Sequence, residues 1–357
     1  MKNSSNQIEL ISFLSNNREI YPHKVSKVEI EETHISWVIL TGKFAYKIKK
    51  ELKFGHVLDF STLSLRKKLC QKEVDINKAL CGDMYKGVVK VIKQKIEQDQ
   101  HYKLRIVGLK SKGKALEYAV KMLEIPQKFR MDNLLQEGKI NSHTIDELAS
   151  MLVKFHNSSI TNRKIKSFGE PEFIKRKIDE NFATLSKLAD INHKLERSLK
   201  LFIKNKHDLL LERIRDEKIR DIHGDLYLKN IFIVPGHKKF YLYDRIEFND
   251  SLRYADVAED VAHLAMDLDF HGRSALKRRF ISAYLLQSKD AHLEDIVYFL
   301  MCYKACVRVK VSLFRAKSLD KTNSNDRIKI EQAEKEARNH LELAESYLWL
   351  LKEDTYQ

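Results

Sequence analysis

Ile222-His223-Gly224-Asp225-Leu226-Tyr227-Leu228-Lys229-Asn230 is followed by Ile231 to Val234, Pro235-Gly236, Phe240 to Tyr243 and then Asp244. The two apolar runs around Pro-Gly read as a strand, a turn and a strand. The pattern is an aspartate, an asparagine five residues later and a second aspartate nineteen residues after the first. His223-Gly224-Asp225 taken alone is no more than a turn before a hairpin. Joined to Asn230 and Asp244, it supplies the groups that phosphoryl transfer from ATP requires. One carboxylate, Asp225, orients or deprotonates a hydroxyl acceptor. An amide oxygen and a second carboxylate, from Asn230 and Asp244, hold the magnesium that bridges the phosphates.

Around this segment the chain is globular in composition. Its 357 residues suit two lobes, and 43% hydrophobic with 32% charged residues excludes a disordered or fibrous chain. With 11 Gly and 4 Pro there is no low-complexity linker. Met1-Lys2-Asn3-Ser4-Ser5-Asn6-Gln7 lacks the apolar core of a signal peptide, and no apolar run is long enough to span a bilayer. No membrane association is expected. Cys70, Cys81, Cys302 and Cys306 form no C-x-x-C pair. They read as reduced thiols in a cytoplasmic protein, with Cys302 and Cys306 on a buried helix face.

The formal net charge of +15 raises the possibility of nucleic-acid binding. No nucleic-acid module and no platform of interleaved aromatic and basic residues supports it. The charge is uneven: residues 221–270 carry a net of −5 in an otherwise basic chain. That acidic window contains the Asp225–Asp244 pattern.

Gln7 to Leu14 reads as a short amphipathic helix. Val28 to Ile30, Ile35 to Leu40 and Phe44 to Lys49 read as strands, the last two joined by the turn Thr41-Gly42-Lys43. Ser61 to Leu80 has apolar residues Leu65, Leu69, Val74 and Ile76 at helical intervals. Gly87 to Ile92, Tyr102 to Leu109 and Glu117 to Met122 are further strands. Residues 21–124 therefore predict a small antiparallel sheet with one long helix after its third strand. Beyond Pro126 the pattern is helical: a helix capped by Asn141 or Ser142 and running to about His156, then Glu172 to Leu188, Leu195 to Asp216, 256–270, 275–287, Asp295 to Ala316 and Ile328 to Leu351. The expected fold class is α+β and bilobal, with a β-rich lobe 1–124 and a helical lobe 125–357 that meet near Glu124-Ile125-Pro126.

The segment His223 to Asn230 resembles the catalytic loop of the aminoglycoside phosphotransferases, a family with a protein-kinase-like fold. That family's loop reads H-G-D-x-x-x-x-N, and it stands here intact. Protein kinases proper carry H-R-D, D-F-G and A-P-E. Here Asp244 is followed by Arg245-Ile246, and no A-P-E follows. The chain is similar, over nearly its whole length, to an uncharacterised group of this family that carries E-T-H-I-S-W and D-x-I-E-F-N. These occur as Glu32 to Trp37 and Asp244 to Asn249.

The resemblance implies an ATP- and magnesium-dependent kinase of a small-molecule hydroxyl, with Asp225 catalytic and Asn230 and Asp244 on the metal. It implies a strand lysine for the phosphates, best matched by Lys47, three residues beyond Phe44, with Lys49 on the same strand face as the fallback. Glu73 is matched as the helix glutamate that holds the lysine. The turn Glu32 to Ser36 replaces a glycine-rich loop, so backbone amides and the Thr33 and Ser36 hydroxyls would face the phosphates. Adenine would lie at Met122-Leu123-Glu124. Asp256 is matched as a structural aspartate that ties down the catalytic loop, and His223 as a brace for it. Glu247 and Asn249 are candidates for the acceptor side. More generally, the charge of Glu247, Asp250, Asp256, Glu259 and Asp260 could orient a cationic acceptor. His156, His263 and His271 read as ordinary structural or surface histidines.

The sequence lacks G-x-x-x-x-G-K-[ST], which excludes a P-loop mechanism within the chain. Members of the similar group are often fused to a P-loop domain, which points to a P-loop partner acting in trans. The alternatives to a small-molecule kinase are a nucleotide-binding regulatory module acting on a protein partner and an atypical protein kinase.

Overall fold

The computed structural model describes residues 2–55, 57–95, 102–191, 193–234, 239–320 and 322–353. The expected Pro235-Gly236 turn lies outside the described residues. The chain divides into two compact units, Met1–Phe129 with Phe232–Asp250, and Arg130–Ile231 with Ser251–Gln357.

The first unit begins with helix α1 (Lys2–Asn16), longer than the apolar pattern suggests. Strands β1 (Glu29–Glu32), β2 (Ser36–Leu40) and β3 (Phe44–Lys49) follow, then a small hairpin of β4 (Lys53–Phe54) and β5 (Leu58–Asp59). Helix α2 (Leu63–Cys81) precedes β6 (Tyr85–Lys95), β7 (Tyr102–Gly108) and β8 (Ala115–Leu123). Six of these strands form one sheet in the order β1-β2-β3-β8-β6-β7, with every neighbouring pair antiparallel. The mixed α/β class and the sheet with one long helix after its third strand agree with the sequence.

One face of this sheet, through Ile39, Tyr46 and Ile48, packs on Ile11 and Leu14 of α1. The alternate residues Ala45, Lys47 and Lys49 therefore point to the opposite face. That face is covered too, so β3 is buried at every residue after Phe44.

Helix α2 starts at Thr62, whose hydroxyl accepts from the Leu65 amide at 3.2 Å. Of the four apolar positions that suggested the helix, only Val74 is buried. The buried stripe instead mixes Arg66, Glu73 and Asn77 with Cys70, Val74, Leu80 and Cys81. Arg66 explains the orientation: its guanidinium donates to Glu117 of β8 at 3.0 Å and to the Phe60 carbonyl at 2.9 Å. Glu73 lies two turns further along the same face. The first unit also takes in β11 (Lys239–Leu242), which pairs with β10 (Ile231–Val234). The Cys81 thiol donates to the Leu242 carbonyl at 3.2 Å.

The second unit is mainly helical: α3 (Met131–Gln136), α4 (Ser142–Ser158), α5 (Arg163–Lys166), α6 (Pro171–Leu185), α7 (His193–Asn205), α8 (His207–Arg215), α9 (Ala258–Phe270), α10 (Ser274–Ser288), α11 (Leu293–Ser318) and α12 (Ser324–Glu353). Asn141 caps α4 as its sequence suggests. The single helix expected over Leu195 to Asp216 is two, broken at Lys206. Helix α7 buries Leu195, Leu199 and Phe202, whereas α8 buries Leu210 and Arg213. Arg213 lies between Asp256, at 2.5 and 2.7 Å, and Asp290, at 3.0 Å from each oxygen, and that geometry sets the direction of α8.

Strands β9 (Ile219–Asp221) and β12 (Tyr254–Asp256) pair antiparallel at the mouth of the His223 loop. All four cysteines are free and buried. Among the described residues no helix is long and apolar enough to cross a membrane.

Removing the guanidinium would leave two buried carboxylates without their cation. Arg213→Met should therefore lower the unfolding free energy by about 3–5 kcal/mol. Urea denaturation checks this: the midpoint should fall while the slope holds. A variant within about 0.5 kcal/mol of the parent would remove this cluster from the stability argument.

Candidate active site

In the first unit, Lys47 and Lys49 converge on one carboxylate. The Lys47 Nζ lies 2.9 Å from Glu73 Oε1, and the Lys49 Nζ 2.6 Å from Glu73 Oε2. Lys47 also pairs with Asp244 at 2.5 Å, and Lys49 with Glu247. Glu73 is fully buried, Lys49 is 1% exposed and Lys47 7%. Burial opposes the charged form of Lys47, but Asp244, Glu73 and Glu247 outweigh it and hold its pKa well above the ordinary value. Burial alone would raise the pKa of Glu73, and the two lysines reverse that and keep its carboxyl low. Three carboxylates face two ammonium groups, so the cluster carries an excess negative charge.

Asp244 has a left-handed backbone, φ +65°, which costs energy in any residue with a Cβ. Its surroundings hold it there. Its amide donates to the Tyr85 hydroxyl at 3.2 Å. The Arg245 amide donates to the Asn77 side-chain oxygen at 3.0 Å, and the Arg245 guanidinium to the Ile76 carbonyl at 2.6 Å. The strain thus aims one carboxylate oxygen at Lys47. The other, Oδ2, has no partner among the described residues.

In the second unit, the His223 loop hangs on Asp260 of α9. Asp260 accepts from the His223 amide at 2.7 Å and the Gly224 amide at 2.9 Å. His156 lies 3.1 Å from the same carboxylate and 2.7 Å from the Tyr284 hydroxyl. Gly224 has φ +88°, a value that a residue without a Cβ adopts freely. The buried His223 ring accepts from the Asp225 amide at 3.3 Å, in keeping with a bracing role. The Asn230 side-chain nitrogen donates to the Asp225 carbonyl at 2.9 Å and to its carboxylate at 3.3 Å. That leaves the Asn230 amide oxygen as its open acceptor.

The open oxygens of Asn230 and Asp244 are hard donors of the kind magnesium prefers. Among the described residues no three His, Cys, Asp or Glu side chains gather as a metal cage. A magnesium that takes most of its ligands from phosphates and water does not need one. The donor chemistry of each residue, taken within its own unit, fits this metal.

Several expected roles change. It is Asp260 of α9, four residues beyond Asp256 of β12, that ties the catalytic loop. Asp256 instead holds Arg213 and accepts from the Ala258 amide at 2.8 Å. Thr33 and Ser36 close their turn on itself: their hydroxyls lie 2.9 Å apart, and Thr33 Oγ1 accepts from the Ile35 and Ser36 amides at 3.3 and 3.0 Å. They do not stand open to a phosphate. Met122 is a buried strand residue registered between Ala45 and Tyr85. The Glu124 carboxylate accepts from the Thr41 and Gly42 amides, both at 2.7 Å, and so clamps the β2–β3 turn. Glu247, expected on the acceptor side, is enclosed with Lys49. Asn249 is half-buried in the segment that follows it.

The acidic window is neutralised internally. Asp250 pairs with Lys72 at 2.7 Å, and Glu259 lies 2.8 Å from both Lys177 and Lys304. The contact with Lys304 is an ion pair without hydrogen-bond alignment. With Glu247, Asp256 and Asp260 also engaged, none of the five acids forms an open wall for a cation. His263, taken as an ordinary histidine, proves to lie 3.8 Å from Asp225. No spacing signal in the sequence marks it.

A choline kinase from Cryptosporidium parvum has the same arrangement of elements, with a TM-score of 0.51 at 12% identity, covering 98% of this chain and 95% of that one. The chain has the protein-kinase-like fold. No family model matches the sequence. Uncharacterized proteins of Mycobacterium tuberculosis and Mycobacterium bovis are each 31% identical over 294 residues, 81% of this chain and 55% of theirs. The chain thus spans about half the length of these curated relatives.

Burial raises the pKa of Glu259, but Lys177 and Lys304 outweigh it and hold it at about 2. Because this lies below the ordinary value of 4.5, the pair adds stability above that pH and loses it as the pH falls toward 2. Glu259→Gln should flatten this part of the acid limb. Urea midpoints across the acid range test it, and a limb parallel to the parent's would rule the coupling out.

Proposed function

We propose that this chain is an ATP- and magnesium-dependent phosphotransferase that acts on a hydroxyl group of a small molecule. The observation that carries this reading is the buried Lys47–Glu73–Asp244 network of the first unit, together with an intact H-G-D-x-x-x-x-N loop in the second whose Asn230 holds Asp225 in place. In this reading Lys47, the lysine that touches both Glu73 and Asp244, neutralises phosphate oxygens. Lys49 and Glu247 keep Glu73 in position behind it. Asn230 and Asp244 would hold magnesium, which spreads the charge of the phosphates when bound. Adenine would meet the end of β8, Met122 to Glu124, through its backbone, since the Glu124 carboxylate is already committed to the turn.

Asp225 orients the acceptor hydroxyl and takes its proton. The acceptor oxygen forms a bond to the γ-phosphorus as the bond to the β–γ bridging oxygen breaks, and ADP leaves with that electron pair. No covalent enzyme intermediate is needed, so catalysis rests on positioning and charge. A cytoplasmic setting suits this use of ATP and the four free cysteines.

Two variants separate the roles. Asp225→Ala should retain Mg·ATP binding in a calorimetric titration while transfer falls by about 10²–10⁴. Asp244→Ala should lose the magnesium-dependent part of nucleotide binding. Full activity in the first, or unchanged magnesium dependence in the second, would overturn these assignments.

A further inference from the structure

Beside Asp225, the second unit brings together Tyr227, His263 and Arg308. The His263 ring lies parallel to the Tyr227 ring, with centroids 5.6 Å apart and planes at 11°. The Arg308 guanidinium lies 4.7 Å from the centre of the same Tyr227 ring. Stacking fixes the plane of a guanidinium and leaves its N–H edge for an oxyanion, which it can bind in bidentate fashion. Among the described residues Arg308 has no hydrogen bond and no ion pair. The residue as a whole is half-buried.

His263 is 3% exposed, and neither ring nitrogen has a partner among the described residues. Its Nδ1 lies 3.8 Å from Asp225. Burial first, then Lys304 and Arg308, hold its pKa well below the ordinary value, so the ring is neutral. A neutral imidazole offers one donor and one acceptor, and here both are unused. Nearby acids act on Arg308 as well: Asp225, Asp267 and Glu336. Of these, Asp267 already accepts from the Leu228 amide at 2.8 Å. Lys304 also feels the charge of Asp225.

From this we infer that the acceptor is an anionic hydroxy compound, whose carboxylate or phosphate is bound by Arg308 while His263 contacts it next to Asp225. A cationic acceptor would need open carboxylates or an aromatic cage. Glu247, Asp250, Asp256, Glu259 and Asp260 are engaged within the protein, and the Tyr227 ring already carries a cation. The inference rests on the phosphotransferase reading and adds the charge class of its substrate. Arg308 and His263 are then specificity-determining residues.

The test uses the full chain with Mg·ATP and measures ADP release across three groups of hydroxyl compounds. The anionic group holds hydroxy acids and sugar phosphates, which separate carboxylate from phosphate. The neutral group holds sugars and glycerol, and the cationic group choline and aminoglycosides. Stimulation is expected in the anionic group. Arg308→Gln should lower the preference for the active anionic compound over its neutral counterpart roughly tenfold or more, mainly through KM. Arg308→Lys should restore part of it.

Stimulation confined to neutral or cationic compounds, no stimulation by any anionic one, or an unchanged preference in Arg308→Gln would overturn the inference. The parent's charge preference stands as a test even if the variant fails to fold. Calorimetric Mg·ATP binding by the parent is measured alongside. Its absence would remove the phosphotransferase reading and this inference with it, whereas its presence together with a failed anionic group removes only the inference.

Discussion

Glu73 is a carboxylate with no exposure to water, and much of the first unit is arranged to keep it charged. Isolated, such a group would take up a proton. Two lysines from one strand prevent this, one on each oxygen. Each lysine is itself buried and needs a second carboxylate, which Asp244 and Glu247 supply. The segment after β11 is thereby tied to β3 and α2 by charge. A buried pair of this kind contributes little net stability against a well-packed apolar core, but breaking it is costly. The arrangement therefore defines geometry more than it adds stability, as a site that must hold phosphates in register requires.

The second unit applies the same logic to a backbone loop. Asp260 satisfies two amides that no helix or sheet would otherwise satisfy, and His156 with Tyr284 fixes its orientation. Gly224 permits the turn, and Asn230 closes the loop from its far end. The catalytic candidate Asp225 needs no strain of its own, because the residues on both sides of it are held. Asp244, by contrast, is strained, and the hydrogen bonds from Tyr85, Asn77 and Arg245 are what make that conformation tolerable.

The loop pattern, the sheet and the helix after its third strand were legible because each depends on local spacing, whereas the lysine–Glu73 pairing came only from the family resemblance. Strands follow period two and helices period 3.6, and H-G-D with an asparagine five residues on is a contiguous signal. The break at Lys206 was not legible, because Leu195 to Asp216 keeps a helical period throughout and only the pull of Asp256 and Asp290 on Arg213 turns the chain. Likewise α2 announced itself by Leu65 and Leu69, yet its buried face proved to be another one, on which Arg66, Glu73 and Asn77 lie among apolar residues.

The sequence by itself determined the element types, the chemistry on offer and the residues that bear it. Tertiary structure alone decided which charges meet. Lys47 and Lys49 look like solvated strand residues until a helix covers their face of the sheet. Asp256 and Asp260 are indistinguishable as acids, but the end of β12 gives one to Arg213 and the first turn of α9 gives the other to the catalytic loop. Five acids of the acidic window became closed pairs, and His263, read in sequence as an ordinary histidine, and Arg308 came to lie near Asp225. The physical reason is that a charge finds its partner through space, across tens to hundreds of residues, whereas sequence patterns report only what neighbours along the chain impose.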